Sequence, residues 1–125
     1  MAGERILLVE DNPANMKLLS FVLASHGYDV RKAANAEAAL AALAHELPRM
    51  ILMDLQLPGM DGLALTRQIK SDARTRDIVV VAVTAYAMKG DEQKAREAGC
   101  DGYIAKPIDT RGLPALVARY LGSDA

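Results

Sequence analysis

Five residues with side chains suited to metal or phosphoryl chemistry each stand at the end of a short apolar run. Glu10 and Asp11 follow Ile6-Leu7-Leu8-Val9, Asp54 follows Met50-Ile51-Leu52-Met53, Thr84 follows 78–83, and Lys106 follows Tyr103-Ile104-Ala105. Two carboxylates about 4 Å apart repel by roughly 4 kcal/mol at an effective dielectric near 20. Three in one pocket must therefore take up protons or a cation. With no His or Cys among them, the set suits a hard ion, and Mg²⁺ (or Mn²⁺) takes few carboxylates plus water and phosphate oxygens. The charges then close: three carboxylates balance one divalent ion and the Lys106 ammonium. Such a neutral site can admit a phosphoryl group. Aspartate is a covalent phosphoryl acceptor in other settings, which makes Asp54 the candidate nucleophile. The ion and Lys106 would shield the charge on the equatorial oxygens. A Thr84 hydroxyl drawn in to donate to one of those oxygens would make a switch.

Residues so far apart in sequence meet only if the apolar runs lie side by side with their carboxyl ends on one rim. Continuous apolar runs such as 6–9 and 50–53 mark strands covered on both faces. Helical patterns separate them. Asn12-Pro13 reads as an N-cap followed by a first-turn proline, with Met16, Leu19 and Leu23 at helical spacing. Asn35 caps a helix running from Ala36 to about Glu46, and Asp61 caps one through about Ser71, so Asp61 reads as a cap and not a ligand. Tyr28 to Lys32 is polar enough for a sheet edge, whereas 78–83 is the most apolar strand and is expected at the centre. A fourth helix, about Met88 to Ala98, is Ala-rich and charged and has a thin packing face. The last helix carries Leu113, Leu116, Val117, Tyr120 and Leu121. Pro114 near its start predicts a late or distorted beginning, because an interior proline costs about 3 kcal/mol. Five strands alternating with five helices give an α/β, doubly wound parallel sheet, whose ligands bind at the carboxyl ends of the strands.

Composition removes several functions. The 125 residues fit one domain, with no output domain, and 51% are hydrophobic. Net charge is −1 and aromatics are 4%, so direct nucleic-acid binding is not expected. No apolar run approaches the roughly 20 residues that span a bilayer, so no membrane insertion is expected and the location is cytoplasmic. The single cysteine, Cys100, has no ligand spacing around it and reads as a reduced thiol. His26 and His45 sit near helix ends, where a solvated or dipole-stabilising role is the default, and the six Met residues read as core filler and interface, not a cofactor box.

Val9-Glu10-Asp11-Asn12, Met53 to Gly62, Val83-Thr84-Ala85 and Tyr103 to Ile108 together resemble, in order and spacing, the signature segments of bacterial response-regulator receiver domains. More narrowly, Glu10 to Leu18 and Thr84 to Asp91 resemble the DivK type of single-domain cell-cycle regulator. The resemblance implies a flavodoxin-like strand order, 2-1-3-4-5. It implies that Asp54 is the phosphoacceptor and that Asp11 ligates Mg²⁺ directly, Glu10 more often through water. The Gln56 backbone carbonyl would complete the protein ligands. Lys106 would contact the phosphoryl group beside a cis Pro107, and Thr84 and Tyr103 would form the switch pair. Gln56 and Tyr86 would influence water attack on the acyl phosphate, with Tyr86 shielding it. The implied partners are a histidine kinase or histidine phosphotransfer protein docking near the first helix. A downstream protein would bind the Tyr103 face. Such a domain catalyses only its own phosphorylation and dephosphorylation.

Two other readings remain. A receiver segment of a hybrid histidine kinase would share the chemistry. An aspartate-nucleophile phosphohydrolase would resemble Asp-x-Asp after a first strand, but Asp54 follows the third and Gln56 stands where the second Asp would be. No glycine-rich nucleotide loop is present.

Overall fold

The computed structural model describes residues 3–57, 61–84, 90–106 and 108–122. Its elements alternate strictly: β1 (Arg5–Val9), α1 (Pro13–Ser25), β2 (Asp29–Ala33), α2 (Ala36–His45), β3 (Met50–Asp54), α3 (Gly62–Ser71), β4 (Val79–Thr84), α4 (Asp91–Ala98), β5 (Gly102–Ala105) and α5 (Leu113–Leu121). The strands form one parallel sheet in the order β2-β1-β3-β4-β5. That is the strand order of the flavodoxin-like fold, with its switch point between β1 and β3.

Side-chain alternation along each strand divides the core into two layers. Leu7, Val9, Ile51, Met53, Val80 and Ala82 face one way, where they pack with Ala39, Leu43, Leu65, Ile69 and Ala95 of α2, α3 and α4. Ile6, Leu8, Met50, Leu52, Val81 and Val83 face the other, against Leu19 and Leu23 of α1 and Leu113, Val117 and Leu121 of α5. The interior strands are apolar between their ends because both of their faces meet helices.

The caps form as their residue types require. Asn12 Oδ1 accepts the Asn15 N–H at 3.1 Å, Asn35 Oδ1 accepts that of Ala38 at 2.7 Å, and Asp61 Oδ1 accepts that of Leu63 at 2.9 Å. Asp61 is thus a cap, as its position suggests. β2 is an edge strand, and it pairs one residue later than expected, through Ala33. β4 is interior but not central, since β3 holds the middle of the sheet. Apolar content reports burial on both faces, and any interior strand has that. α4 is described from Asp91, and 85–89 lie outside the described residues. α5 starts only at Leu113, which puts Pro114 in the first turn, where no N–H is needed.

The end of the sheet away from the strands' carboxyl termini is tied by ions. Lys70 Nζ donates to the Ile78 carbonyl at 2.7 Å and to Asp101 Oδ2 at 2.8 Å, and the same Asp101 oxygen accepts the Val80 N–H at 2.9 Å. Asp101 thereby links the end of α3 to the starts of β4 and β5.

Candidate metal and phosphoryl site

The alternation that builds the two cores also builds the site. Asp54 has the phase of Met50 and Leu52, and Glu10 continues that of Ile6 and Leu8. The ladder runs on past the strand ends. Glu10 N–H donates to the Ala33 carbonyl at 3.0 Å and Lys106 N–H to the Thr84 carbonyl at 2.7 Å. Glu10, Asp54 and Lys106 therefore leave three different strands on the same side of the sheet, towards α1 and α5.

There they meet. Lys106 Nζ lies 3.2 Å from Asp54 Oδ2 and 3.3 Å from Glu10 Oε1. Both carboxylates are 2% exposed, and Asp11 stands at the solvent-facing mouth. Glu10, Asp11 and Asp54 each offer an oxygen, and these oxygens lie within 4.8 Å of one another. Backbone donors fix the orientation. Asn12 N–H donates to Glu10 Oε2 at 3.0 Å and Gln56 N–H to Asp54 Oδ1 at 2.9 Å. Asn12 thus serves twice, its side chain capping α1 and its amide holding Glu10. The first role is readable from residue type. The second depends on the turn geometry and has no sequence signal.

Burial raises the Glu10 pKa; the Asn12 N–H opposes this, and the Asp54 charge adds to it. Burial also works against the Lys106 ammonium, but the hydrogen bond and charge of Asp54, followed by those of Glu10, outweigh it and raise that pKa. Lys106 is in effect the internal counter-ion of two buried carboxylates. The donor set fits a hard divalent ion: all-oxygen, acceptor-only, and with three carboxylates against one ammonium left two charges short of neutral.

Thr84 sits at the same rim, 2% exposed, but in the opposite phase, with Val80 and Ala82. Its Oγ1 accepts a hydrogen bond from Gln56 Nε2. The sequence reading gave Gln56 a backbone ligand role and an influence on water attack, and its side-chain link to Thr84 was not foreseen. Tyr103 is half-buried against the layer of α2, α3 and α4 and borders a hollow of about 460 Å³ with Arg96 and Tyr120. Pro107 and Tyr86, expected as a cis-proline and a shield, lie outside the described residues.

Gly62 sets how closely α3 approaches the site. A Cβ there would lie 2.8 Å from the Leu55 Cα and 2.9 Å from the Asp54 carbonyl oxygen, both backbone atoms that cannot step aside cheaply. Gly62→Ala is expected to cost about 2 kcal/mol, seen as a lower urea midpoint with an unchanged slope.

Cys100 is buried, and burial raises its thiol pKa, which disfavours the nucleophilic thiolate. Among the described residues no helix is long and apolar enough to cross a membrane.

Comparison with known proteins agrees with this fold. The profile of the response regulator receiver domain matches residues 6–118. The polar-differentiation response regulator DivK of Brucella anthropi is 43% identical over 117 residues, which span 94% of this chain and 95% of that protein. The receiver domain of a sensor histidine kinase from Pseudomonas aeruginosa PAO1 superposes with a TM-score of 0.88 at 37% identity. The match covers 97% of this chain and 99% of that one, and that structure holds a magnesium ion in its active-site cleft. A response regulator of Chloroflexus aurantiacus gives a TM-score of 0.91 at 31% identity, over 96% and 98% of the two chains. With the fold, the acidic rim and these relatives in agreement, the chain belongs to the response regulator receiver domain family of two-component signalling.

Proposed function

We propose that this receiver is a phosphorelay switch in which Asp54 takes a phosphoryl group from a histidine kinase or histidine phosphotransfer protein. The observation that carries the reading is the Lys106 ammonium lodged between the buried carboxylates of Glu10 and Asp54. A buried pair of acids around one cation is costly to maintain, and it makes sense as a site prepared for incoming charge.

Asp54 attacks phosphorus through a carboxylate oxygen. The bond from phosphorus to the donor's imidazole nitrogen breaks, and its electron pair leaves with the imidazole. Glu10, Asp11 and Asp54, with the Gln56 carbonyl, would hold Mg²⁺ or Mn²⁺, which when bound supplies charge stabilisation for the phosphoryl oxygens. Lys106 then gives up its contact with Asp54 and pairs with a phosphoryl oxygen, keeping its positive charge at the same place. Thr84 donates its hydroxyl to another phosphoryl oxygen, and Tyr103 follows into the space it leaves. The surface around Tyr103, α4 and α5 changes shape and presents itself to a downstream protein.

The donor's docking place is supported by a groove of about 360 Å³ that runs from Glu10 and Lys106 to Asn15, Leu18 and Ile108. Beside it α1 exposes Leu18, at 50%, and Phe21, at 70%. Large apolar side chains so exposed on the helix that lines this groove suit a helical partner that delivers its histidine at the rim.

The test is incubation with acetyl phosphate and Mg²⁺, followed by intact mass. One phosphoryl group should be gained, and none with a chelator present. No gain under either condition would remove the phosphoacceptor reading and leave a binding module.

A further inference from the structure

We propose that the Gln56 side chain is a positioning residue that latches Thr84 in the resting arrangement and so sets how readily phosphorylation throws the switch. This deepens the phosphoacceptor reading and rests on it.

Gln56 touches both halves of the switch. Its backbone N–H donates to Asp54 Oδ1, and its side-chain amide donates to Thr84 Oγ1, 28 residues away in sequence. Thr84 is 2% exposed, so water does not compete freely for that contact. The strand phase of Thr84 is opposite to that of Asp54, so a phosphoryl group on Asp54 draws the Thr84 side chain away from its resting position. The latch is the contact that this movement breaks.

The backbone contact ties the latch to chemistry. A free Asp54 carboxylate is a charged acceptor, and hydrogen bonds to charged groups are the stronger class. Once Asp54 is an acyl phosphate, the oxygen that remains on carbon is a neutral carbonyl. The Gln56 N–H then loses its charged partner at the moment Thr84 is drawn away.

A neutral hydrogen bond present in only one of two states biases their ratio by about two- to tenfold. Ligand affinity for the switched state is reduced by the same factor. Beryllium trifluoride with Mg²⁺, a mimic of the phosphoryl group, is the probe, and calorimetric titration gives its apparent affinity. Gln56→Ala and Gln56→Met, the second keeping length without a donor, should each bind it two- to tenfold more tightly than the parent chain. In a Thr84→Val background, where the hydroxyl is gone, the same Gln56 substitutions should change nothing. Unchanged affinity in both single variants would overturn the latch, and so would an equal gain with and without the Thr84 hydroxyl. If the parent chain binds no beryllium trifluoride and gains no phosphoryl group, the phosphoacceptor reading falls and the latch falls with it.

Discussion

Asp54→Asn should abolish the phosphoryl gain that acetyl phosphate and Mg²⁺ give the parent chain. The amide nitrogen lone pair is delocalised into the carbonyl, so neither terminal atom of Asn attacks phosphorus at a useful rate, whereas a carboxylate does. The substitution is nearly isosteric. The Asn side-chain oxygen can still accept the Gln56 N–H that now reaches Asp54 Oδ1 at 2.9 Å, so the fold should stand. Intact mass and a thermal melt on the same sample separate the two effects: a folded protein without added mass is the expected result. A folded Asp54→Asn protein that still gains a phosphoryl group would place the acceptor elsewhere, and Asp11 would be the next residue to replace.

The second large effect concerns the cation. Lys106→Met keeps most of the aliphatic stem but leaves Glu10 and Asp54, each 2% exposed, without their shared ammonium. Removing one partner from a buried ion pair costs about 3–5 kcal/mol. Proton uptake by one carboxylate limits that penalty, and Glu10, whose pKa burial already raises, is the one to take it. A loss near 3 kcal/mol is therefore expected in chelator, measured by urea denaturation. Added Mg²⁺ should return much of it by binding only the folded state. The same variant should be phosphorylated more slowly, because the second positive charge at the phosphoryl group is gone. If Mg²⁺ stabilises the parent and Lys106→Met equally, the ion does not take over any part of the charge that Lys106 balances.

Much of the fold was legible because each strand and helix carries its own local reason. Met50 to Met53 is apolar on both faces because both faces meet helices, and Asn12, Asn35 and Asp61 cap the helices they precede. The acidic rim was legible for a related reason: in a parallel sheet every strand end arrives at the same edge, so residue types at those ends already define the site's charge. What sequence did not reveal is contact that depends on where loops turn. The Asn12 N–H on Glu10 and the Gln56 amide on Thr84 join residues through loop geometry, and neither spacing nor composition encodes that. The rank of β4 in the sheet failed for a different reason. Hydrophobicity counts covered faces, and β3 and β4 are both covered on two.

The phase shared by Glu10, Asp54 and Lys106 restricts which changes of length the chain can inherit. One residue added or removed inside Met50–Asp54 would turn every side chain after it to the opposite layer. Asp54 would then emerge towards α3 and α4, away from Glu10 and Lys106, while Met53 and Leu52 exchanged cores. The same edit in the turn after His45, before β3 begins, would leave that phase untouched. Lineages of this chain are therefore free to vary in the spacing between elements and held to a fixed parity within them. A single-codon deletion can erase the site without removing any of its residues.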